Sequence, residues 1–260
     1  MSDESGPEAL ISTVVKRAGF LAALSSGPIP KHHLGDELGV SRSTVYKAVR
    51  ELHEYDLVER TDDGLALTVV GRILASEYDS FRATAEDVRR TRQLLSALPS
   101  EAELSTALLD DARTVFAERH APNYPIRSFR EMVDSADVVR GISPVALPQY
   151  VELFHDRVID GNMTAELVLE RPVVEYLVTD YGAQLNEALD SDQLSIWEMD
   201  ATFPYGLIVV EGAHDGVSVV VYDERGELRG IIANDTPASV EWGKDVFESY
   251  RERATLVGGR

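Results

Sequence analysis

The sequence predicts an α/β fold, α+β overall, built from two domains with a long helix between them. Apolar residues recur at helical spacing through most of residues 9–98, whereas strand-like runs alternate with helical segments and then follow one another between 137 and 232. A length of 260 residues suits two domains of ordinary size. We therefore expect an N-terminal domain over 1–70, a connecting helix over 71–100 and a C-terminal mixed-sheet domain over 101–260.

Composition limits the classes of site that the chain can hold. It has 45 Asp and Glu against 25 Lys and Arg, a net charge of -20, and no cysteine. The lack of cysteine excludes disulfides, thiolate nucleophiles and zinc sites built on thiolates. The acidic start MSDESGPEAL and the lack of an apolar run near ~20 residues favour a cytoplasmic protein without a membrane segment. Carboxylates spread along the chain are typical of a salt-loving source, and an acidic protein of ordinary source is the alternative.

Two predicted helices open the N-terminal domain. ALISTVVKRAGFLAALSSG, from Ala9, places its apolar residues on one helical face, and Gly27-Pro28 ends this first helix. Pro30 opens a shorter helix, KHHLGDELG. Gly39 ends the second helix, because glycine readily adopts the left-handed conformation of a helix C-terminus.

A third helix and a hairpin complete the domain. Ser41 is placed to cap the third helix, and Val45, Val49 and Leu52 form its buried stripe. An Asp-Gly pair at 63–64, between two short β-like runs, indicates a hairpin. Helix, helix, turn, helix and hairpin is the order of a winged helix-turn-helix, which is the fold that we expect here.

The exposed face of the third helix is cationic in an otherwise acidic chain. In helix-turn-helix proteins the N-terminal part of this helix enters the major groove of DNA, where arginine pairs with guanine. Asp62 and Asp63 at the hairpin tip repel phosphate, so only the first hairpin strand is left for contacts with the DNA backbone. Double-stranded DNA is the expected partner, and a winged helix that contacts only other proteins is the alternative. The expected DNA-binding residues are Arg42, Ser43, Thr44, Tyr46, Lys47, Arg50, Arg60 and Thr61.

Residues 9–75 also carry a resemblance to known regulators. GVSRSTVYKAVRELHEYDLVER, followed by LALTVVGRILA, resembles the winged helix-turn-helix domains of archaeal and bacterial transcription regulators. The resemblance implies the same fold and the same use of the third helix on DNA.

A long amphipathic helix is predicted over 69–98, which contains no proline and a single glycine, Gly71. Its apolar seam either packs on the C-terminal domain of the same chain or pairs with a second chain as a short coiled coil. We favour pairing, and therefore a homodimer, because a two-fold dimer reads two half-sites about 34 Å apart. The predicted seam is formed by Leu74, Tyr78, Phe81, Ala85, Val88 and Leu95.

The C-terminal domain reads as a mixed sheet with helices packed over it. HAPNYPIRSF contains two prolines and is predicted to be a loop. Helices are expected over 102–119, 150–159, 173–189 and 237–254. Strands are expected over 137–142, 165–169, 194–197, 206–210, 217–222 and 228–232.

This half resembles the C-terminal regulatory domain of archaeal winged-helix regulators related to the methanogenesis regulatory proteins, many of them haloarchaeal. The resemblance covers most of 136–254 and is carried by ADVVRGISPVALPQY, ELVLERPVVEYL, FPYGLIVVEG and VVVYDERGELRGIIANDTPASVEWGKDVFESYRERA. It implies a cytoplasmic transcription regulator whose C-terminal half is a sensor or assembly domain.

Catalytic motifs are missing from the same half. The sequence has no glycine-rich phosphate loop after a strand, no Gly-x-Ser-x-Gly, no His-Glu-x-x-His and no His-x-Lys pair. Adjacent histidines at 32–33 point to different helix faces, and the triplet at 155–157 is typical of a surface ion pair. We therefore expect no enzyme, no cofactor and no metal site.

One stretch is a candidate ligand site. In FPYG, Phe203 and Tyr205 offer aromatic surface at the entrance to a strand, and strand ends often border ligand crevices. Arg140 and Ser143 are candidate polar partners for an anionic small-molecule effector. The alternative is that the aromatic residues only close the core and that Arg140 is ion-paired.

Overall fold

The computed structural model describes residues 6–121 and 123–259. The chain divides into two compact units, one ending at Ala85 and the other beginning at Glu86. Among the described residues, no helix is long and apolar enough to cross a membrane.

Four helices form most of the N-terminal unit: α1 (Pro7–Lys16), α2 (Ala18–Ser25), α3 (Leu34–Leu38) and α4 (Arg42–Glu54). The first helix was predicted to be continuous, and this was wrong. The chain leaves helical geometry at Arg17, with φ -109° and ψ 14°, and the Arg17 side chain is drawn to Glu51 of α4. The second predicted helix is shorter than expected, because residues 31–33 form turns.

The corner between α3 and α4 confirms the predicted helix-turn-helix. Gly39 has φ 64° and ψ 31°, the left-handed conformation expected there. The Ser41 side chain accepts a hydrogen bond from the Thr44 backbone N–H at 3.2 Å and so caps α4. α4 buries Val45, Val49 and Leu52, as predicted, against the core of the unit.

A hairpin completes the winged helix. Strand β1 (Val58–Thr61) pairs with β2 (Gly64–Leu67) in antiparallel register, and Ile29 forms a further bridge to Leu65. Gly64 has φ 137°, and a Cβ atom there would lie 2.5 Å from the Ile29 carbonyl. The Asp-Gly turn is therefore required both by backbone conformation and by close packing.

A single helix, α5 (Val69–Leu95), follows the hairpin. Two residues of the predicted pairing seam, Leu74 and Tyr78, pack against the core of the N-terminal unit, and Leu95 packs against a core of the C-terminal unit. These three residues are therefore partly buried within one chain. Of the remaining seam residues, Phe81 is 71% exposed and Val88 is 39% exposed.

The C-terminal unit is built on a mixed sheet, as predicted, and this sheet has eight strands where six were expected. Its order is β10-β6-β5-β4-β7-β8-β9-β3, with β4, β5 and β6 parallel and the other neighbours antiparallel. The strands are β3 (Arg113–Phe116), β4 (Ala136–Ser143), β5 (Thr164–Glu170), β6 (Leu194–Met199), β7 (Gly206–Gly212), β8 (Gly216–Tyr222), β9 (Leu228–Asn234) and β10 (Thr255–Gly258).

Helices cover both faces of this sheet, so its central strands are buried on both sides. One apolar core lies between the sheet and α7 to α10, and a second lies between the sheet and α6 and α11. The helices are α6 (Thr106–Leu109), α7 (Tyr124–Asp134), α8 (Pro148–Ile159), α9 (Arg171–Asp180), α10 (Gly182–Asp190) and α11 (Pro237–Arg251).

Three expectations for this unit were wrong. Residues 102–119 are not one helix, because Arg113–Phe116 pairs with β9 as an edge strand. Residues 124–129 of the stretch predicted as a loop belong to α7, where Pro125 lies in the first helical turn and loses no helical hydrogen bond, while Pro122 lies outside the described residues. The helix predicted over 173–189 is broken at Tyr181, which has φ -129° and ψ 21°.

Candidate functional site

The outward face of α4 brings together most of the residues predicted to contact DNA. Arg42, Ser43, Lys47 and Arg50 are exposed, and Tyr46 is 65% exposed. Thr44 is half-buried. The Ser41 hydroxyl lies 2.8 Å from Ser43 Oγ and 2.9 Å from Thr44 Oγ1, so the cap also holds these two hydroxyls in place.

A cation that sequence reasoning missed lies beside this face. Lys31 Nζ is 3.7 Å from the centre of the Tyr46 ring. A lysine ammonium over an aromatic ring is attracted by the ring's negative face. Lys31 precedes α3 in the turn after Pro30, and only the folded corner places it next to α4. The signal in the sequence was the basic run KHH, which carries no information about which helix it approaches.

Ion pairs separate the cations of α4 into two groups. Arg50 Nε lies 3.6 Å from Glu54 Oε1, and both side chains are well exposed. Within the part of the chain that the structure describes, no carboxylate lies at ion-pair distance from Arg42 or Lys47. The N-terminal half of α4 therefore presents two cations that no described carboxylate pairs with.

Glu51, the carboxylate nearest to these cations along the helix, is turned away from them. It accepts hydrogen bonds from Arg17 Nε at 2.8 Å and Lys16 Nζ at 3.2 Å. These hydrogen bonds, with Arg17 contributing most, lower the pKa of Glu51 from 4.5 to about 2. Arg17 is buried, so the pair fixes α1 and α2 on the back of α4.

The hairpin tip offers less to an anion, as the sequence indicated. Arg60 and Thr61 are exposed, and the Thr61 hydroxyl donates to the Gly64 carbonyl at 3.1 Å. Asp62 and Asp63 are exposed beside them. The local charge of the tip is therefore acidic apart from Arg60.

The four residues predicted as a ligand site are not brought together. Phe203 and Tyr205 are buried in the core under α11, where Phe203 packs edge-on against Tyr250 with ring centres 5.0 Å apart. The Tyr205 hydroxyl donates to the Glu103 carbonyl at 2.9 Å. These aromatic residues close the core, which was the alternative interpretation of FPYG.

Arg140 is held in a charged cluster on the same face of the sheet. Its guanidinium donates to Glu166 at 3.1 Å and also to Glu211, and Lys244 Nζ of α11 donates to Glu211 at 2.5 Å. The hydrogen bond from Lys244, followed by that from Arg140, holds the pKa of Glu211 below its usual value. Each side chain is roughly 30% exposed. Arg140 is thus paired within the protein.

Ser143 belongs to a different place, a cavity on the opposite face of the sheet. The cavity has a volume of about 110 Å³ and is lined mainly by aliphatic and aromatic side chains from β4 to β8 and α7 to α10. Its polar lining includes Ser143, Tyr150, Tyr222 and His155. Sequence reasoning missed this cavity because its walls come from segments that are far apart in the chain.

Histidine, aspartate and glutamate are the side chains left to hold a metal ion in a chain without cysteine. Across residues 6–121 and 123–259, no group of three or more His, Asp or Glu side chains is placed to hold a metal ion. His155 Nε2 lies 3.1 Å from Glu187 and its Nδ1 lies 3.6 Å from Asp156. The rings of His32 and His33 lie with centres 4.1 Å apart at an interplanar angle of 55°, so the expectation that they point to different helix faces was wrong, because both residues lie in the turns before α3.

The chain matches two protein-family descriptions, one in each half. Residues 122–253, just over half of the 260 residues, match the family described as methanogenesis regulatory protein FilR1, middle domain. The chain belongs to this family. Residues 8–90 match a second description, HVO_A0261 N-terminal domain, which covers the winged helix and most of α5. The FilR1 middle domain therefore corresponds to the mixed sheet from β4 to β9 with its covering helices. No curated protein matches the sequence.

Solved structures show weak likenesses to the FilR1-family chain. TrmBL2, described as an archaeal chromatin protein with a novel mode of DNA binding, is 12% identical with a TM-score of 0.43, over 97% of this chain and all of the other. Nuc from Salmonella typhimurium, of the phospholipase D family, is 11% identical with a TM-score of 0.44, over 57% of this chain and 99% of the other. NucT from Helicobacter pylori is 8% identical with a TM-score of 0.42, over 56% and 99%. At these scores none supports an argument about function.

Proposed function

We propose that this protein is a DNA-binding transcription regulator that reads the major groove with α4. The observation that carries the proposal is the exposed, unneutralised pair Arg42 and Lys47 at the start of a capped helix, in a chain with a net charge of -20. A strongly anionic protein approaches DNA only where its own carboxylates are absent or turned away. The description of its family as a regulatory protein supports the same function.

The roles of the α4 residues follow from their chemistry. Arg42 is suited to a bidentate contact with guanine, and Lys47 to phosphate. Tyr46 and Lys31 lie together, so the lysine adds a second phosphate contact at the edge of the groove. Arg50 is partly neutralised by Glu54 and contributes less. Ser43, Thr44, Arg60 and Thr61 complete the proposed DNA-binding set.

The variant Arg42→Ala/Lys47→Ala/Arg50→Ala is expected to bind DNA at least ~100-fold more weakly than wild type, because each lost contact costs about 1–3 kcal/mol. The operator is first identified by genome-wide occupancy mapping, and affinities are then measured by gel shift at one fixed salt concentration. The matched control Arg127→Ala/Arg130→Ala/Arg225→Ala removes three exposed cations of the other unit. It makes the same change in net charge and is expected to bind within ~3-fold of wild type.

Unchanged DNA affinity in the folded α4 variant would exclude this function. It would favour the second candidate, a winged helix that assembles with other regulators without touching DNA. The exposed apolar residues of α1, Ile11 and Val15, at 60% and 53% exposed, are the observation that favours this candidate.

We also infer a homodimer, formed through the N-terminal part of α5. Val70, Ile73 and Phe81 are exposed apolar side chains within one face of this helix, at 46%, 57% and 71%. A second copy is the fitting partner, because two-fold pairing presents two α4 helices to successive major grooves.

The variant Ile73→Glu/Phe81→Glu is therefore expected to shift the protein from dimer to monomer, since it places charge in the proposed seam. Sedimentation velocity at several protein concentrations measures the change. Val178→Glu, at a 57% exposed position of α9, is the control and should leave the oligomeric state unaltered. A wild-type protein that sediments as a monomer at all concentrations would contradict the inference.

For the C-terminal unit we propose a non-catalytic sensor role. The cavity beside β4 is the feature that supports it, since mostly apolar cavities with a few polar groups are typical of small-molecule sites. A ligand bound there regulates DNA binding to the extent that it prefers one state of the protein.

A further inference from the structure

The cavity beside Ser143 has the features of a built binding site. It lies between the sheet and α8, α9 and α10, and residues such as Leu167, Leu177 and Ile208 form its apolar walls. Native cores are packed with few voids larger than a water molecule. An engineered apolar cavity of ~150 Å³ in another protein binds benzene, so a volume of about 110 Å³ suits a molecule of similar or slightly smaller size.

A buried hydroxyl that makes no hydrogen bond of normal geometry is part of the cavity wall. This is the hydroxyl of Tyr150, a residue only 8% exposed, and the Tyr222 hydroxyl is close enough to interact with it without a well-formed hydrogen bond. A buried polar group left unpaired is unfavourable, so a ligand that pairs with it gains affinity. Burial raises the pKa of Tyr150 to about 12, so the hydroxyl keeps its proton and acts as a donor.

Two polar groups near the Tyr150 hydroxyl are the hydroxyls of Ser143 and Tyr222. The first already donates a hydrogen bond within the protein, and the second keeps its proton as Tyr150 does. The Ser143 hydroxyl donates to the Val145 carbonyl at 2.7 Å. Tyr222 lies beside Tyr150, and burial raises its pKa well above the usual value. The cavity therefore supplies neutral donors and no negative charge of its own.

Charge at the cavity excludes an anion. The described lining contains no arginine and no lysine. His155, which lies in the wall, is flanked by Glu187 and Asp156. An anion entering this site loses its hydration, meets carboxylates at His155 and finds no cation. The anionic effector expected at Arg140 and Ser143 does not fit, because Arg140 is paired with Glu166 and Glu211 on the other face of the sheet.

We propose that this cavity binds a small, uncharged, mainly apolar molecule whose single hydrogen-bond acceptor meets the Tyr150 hydroxyl. A ketone, ether or ester oxygen on a hydrocarbon body, with about six non-hydrogen atoms in all, has this chemistry. The inference rests on the proposed sensor role for its regulatory meaning. Ligand binding to the cavity is measured without DNA, so failure to bind a ligand does not contradict the proposal that α4 binds DNA. Likewise, failure to bind DNA does not contradict ligand binding in the cavity.

Three probes with six non-hydrogen atoms each test the proposal on the full-length protein: cyclopentanone, benzene and butyrate. Methyl resonances of the cavity-lining residues are followed by NMR during titration. Cyclopentanone and benzene are expected to shift these resonances, and cyclopentanone is expected to bind more tightly. Butyrate is expected to cause no shift at the same concentrations. Binding of butyrate as tight as that of cyclopentanone, or no response to any probe, would overturn the proposal.

Variants then locate the contact. Tyr150→Phe is expected to weaken cyclopentanone binding ~3- to 10-fold and to leave benzene binding within ~2-fold, since only the hydroxyl is removed. It keeps the ring and removes an unpaired polar atom, so its thermal stability should not fall. Ala146→Leu, which adds volume at the cavity wall, is expected to abolish binding of both probes. Equal loss of both probes in Tyr150→Phe would show that the hydroxyl does not meet the acceptor. Tyr124→Phe removes the hydroxyl of an exposed ring outside the cavity lining. As the control, it is expected to leave binding of both probes unchanged.

Discussion

Gly71→Ala is expected to destabilise the N-terminal unit by about 3 kcal/mol or more. A Cβ atom at Gly71 would overlap the Leu57 carbonyl oxygen and would lie 2.9 Å from the carbonyl carbon. Both partners are backbone, so relief requires α5 to move away from the chain that leads into β1. The same corner holds the Thr68 hydroxyl, which accepts from the Gly71 backbone N–H at 3.0 Å and donates to the Asp56 carbonyl. Moving α5 therefore also breaks this cap.

Urea unfolding followed by circular dichroism measures the loss, and hydrogen exchange locates it in the N-terminal unit. Gly19→Ala is the matched control, because Gly19 also lies in a helix but a Cβ atom there meets nothing within 4 Å. Alanine favours helix over glycine by ~1 kcal/mol, so this control should be neutral or stabilising. If the two alanine variants unfold at the same urea concentration, the close packing of Gly71 on Leu57 is not a constraint.

Arg140→Met is expected to destabilise the C-terminal unit by about 2–3 kcal/mol. Removal of the Arg140 guanidinium leaves the Glu166 carboxylate without its ion-pair partner at 3.1 Å. The Glu211 carboxylate keeps only its ion pair with Lys244. Breaking a buried ion pair on one side costs more than the pair contributes, because an uncompensated charge stays behind. Partial exposure of these side chains keeps the expected loss below that of a fully buried pair.

Two further variants test this explanation of the Arg140 cluster. Arg140→Met/Glu166→Gln removes both charges and is expected to recover about half of the lost stability. Arg171→Met breaks an exposed pair with Glu198 and is expected to cost ~1 kcal/mol or less. Thermal unfolding of all three variants at neutral pH gives the comparison. A double variant less stable than Arg140→Met would show that Glu166 contributes through other contacts.

Local chemistry made the winged helix predictable. Gly39, Ser41 and the Asp-Gly hairpin turn act within a few residues of themselves, and each has the conformation or hydrogen bond that the sequence indicated. The cationic face of α4 was equally visible, because its residues are adjacent in the chain. The tertiary contacts of α4 could not be predicted in this way, because they join segments far apart in the chain. Lys31 lies beside Tyr46, 15 residues away, and Arg17 pairs with Glu51, 34 residues away.

The C-terminal unit shows where sequence reasoning failed. Central strands were found from their apolar runs, but the short edge strands β3 and β10 were not. An edge strand of four residues carries too little pattern to be separated from a helix or a tail, and it becomes regular only when a partner strand supplies its hydrogen bonds. The helix assumed over 102–119 failed for this reason.

The sequence by itself determined the order of the two domains, the winged-helix corner, the mixed character of the sheet and the cationic start of α4, since each depends on neighbours in the chain. Only the tertiary structure decided which face of the sheet each residue of β4 meets. Alternation along that strand sends Arg140 to carboxylates on one face and Ser143 to the cavity on the other. The candidate ligand site moved accordingly, because a cavity is formed by walls that meet only after folding.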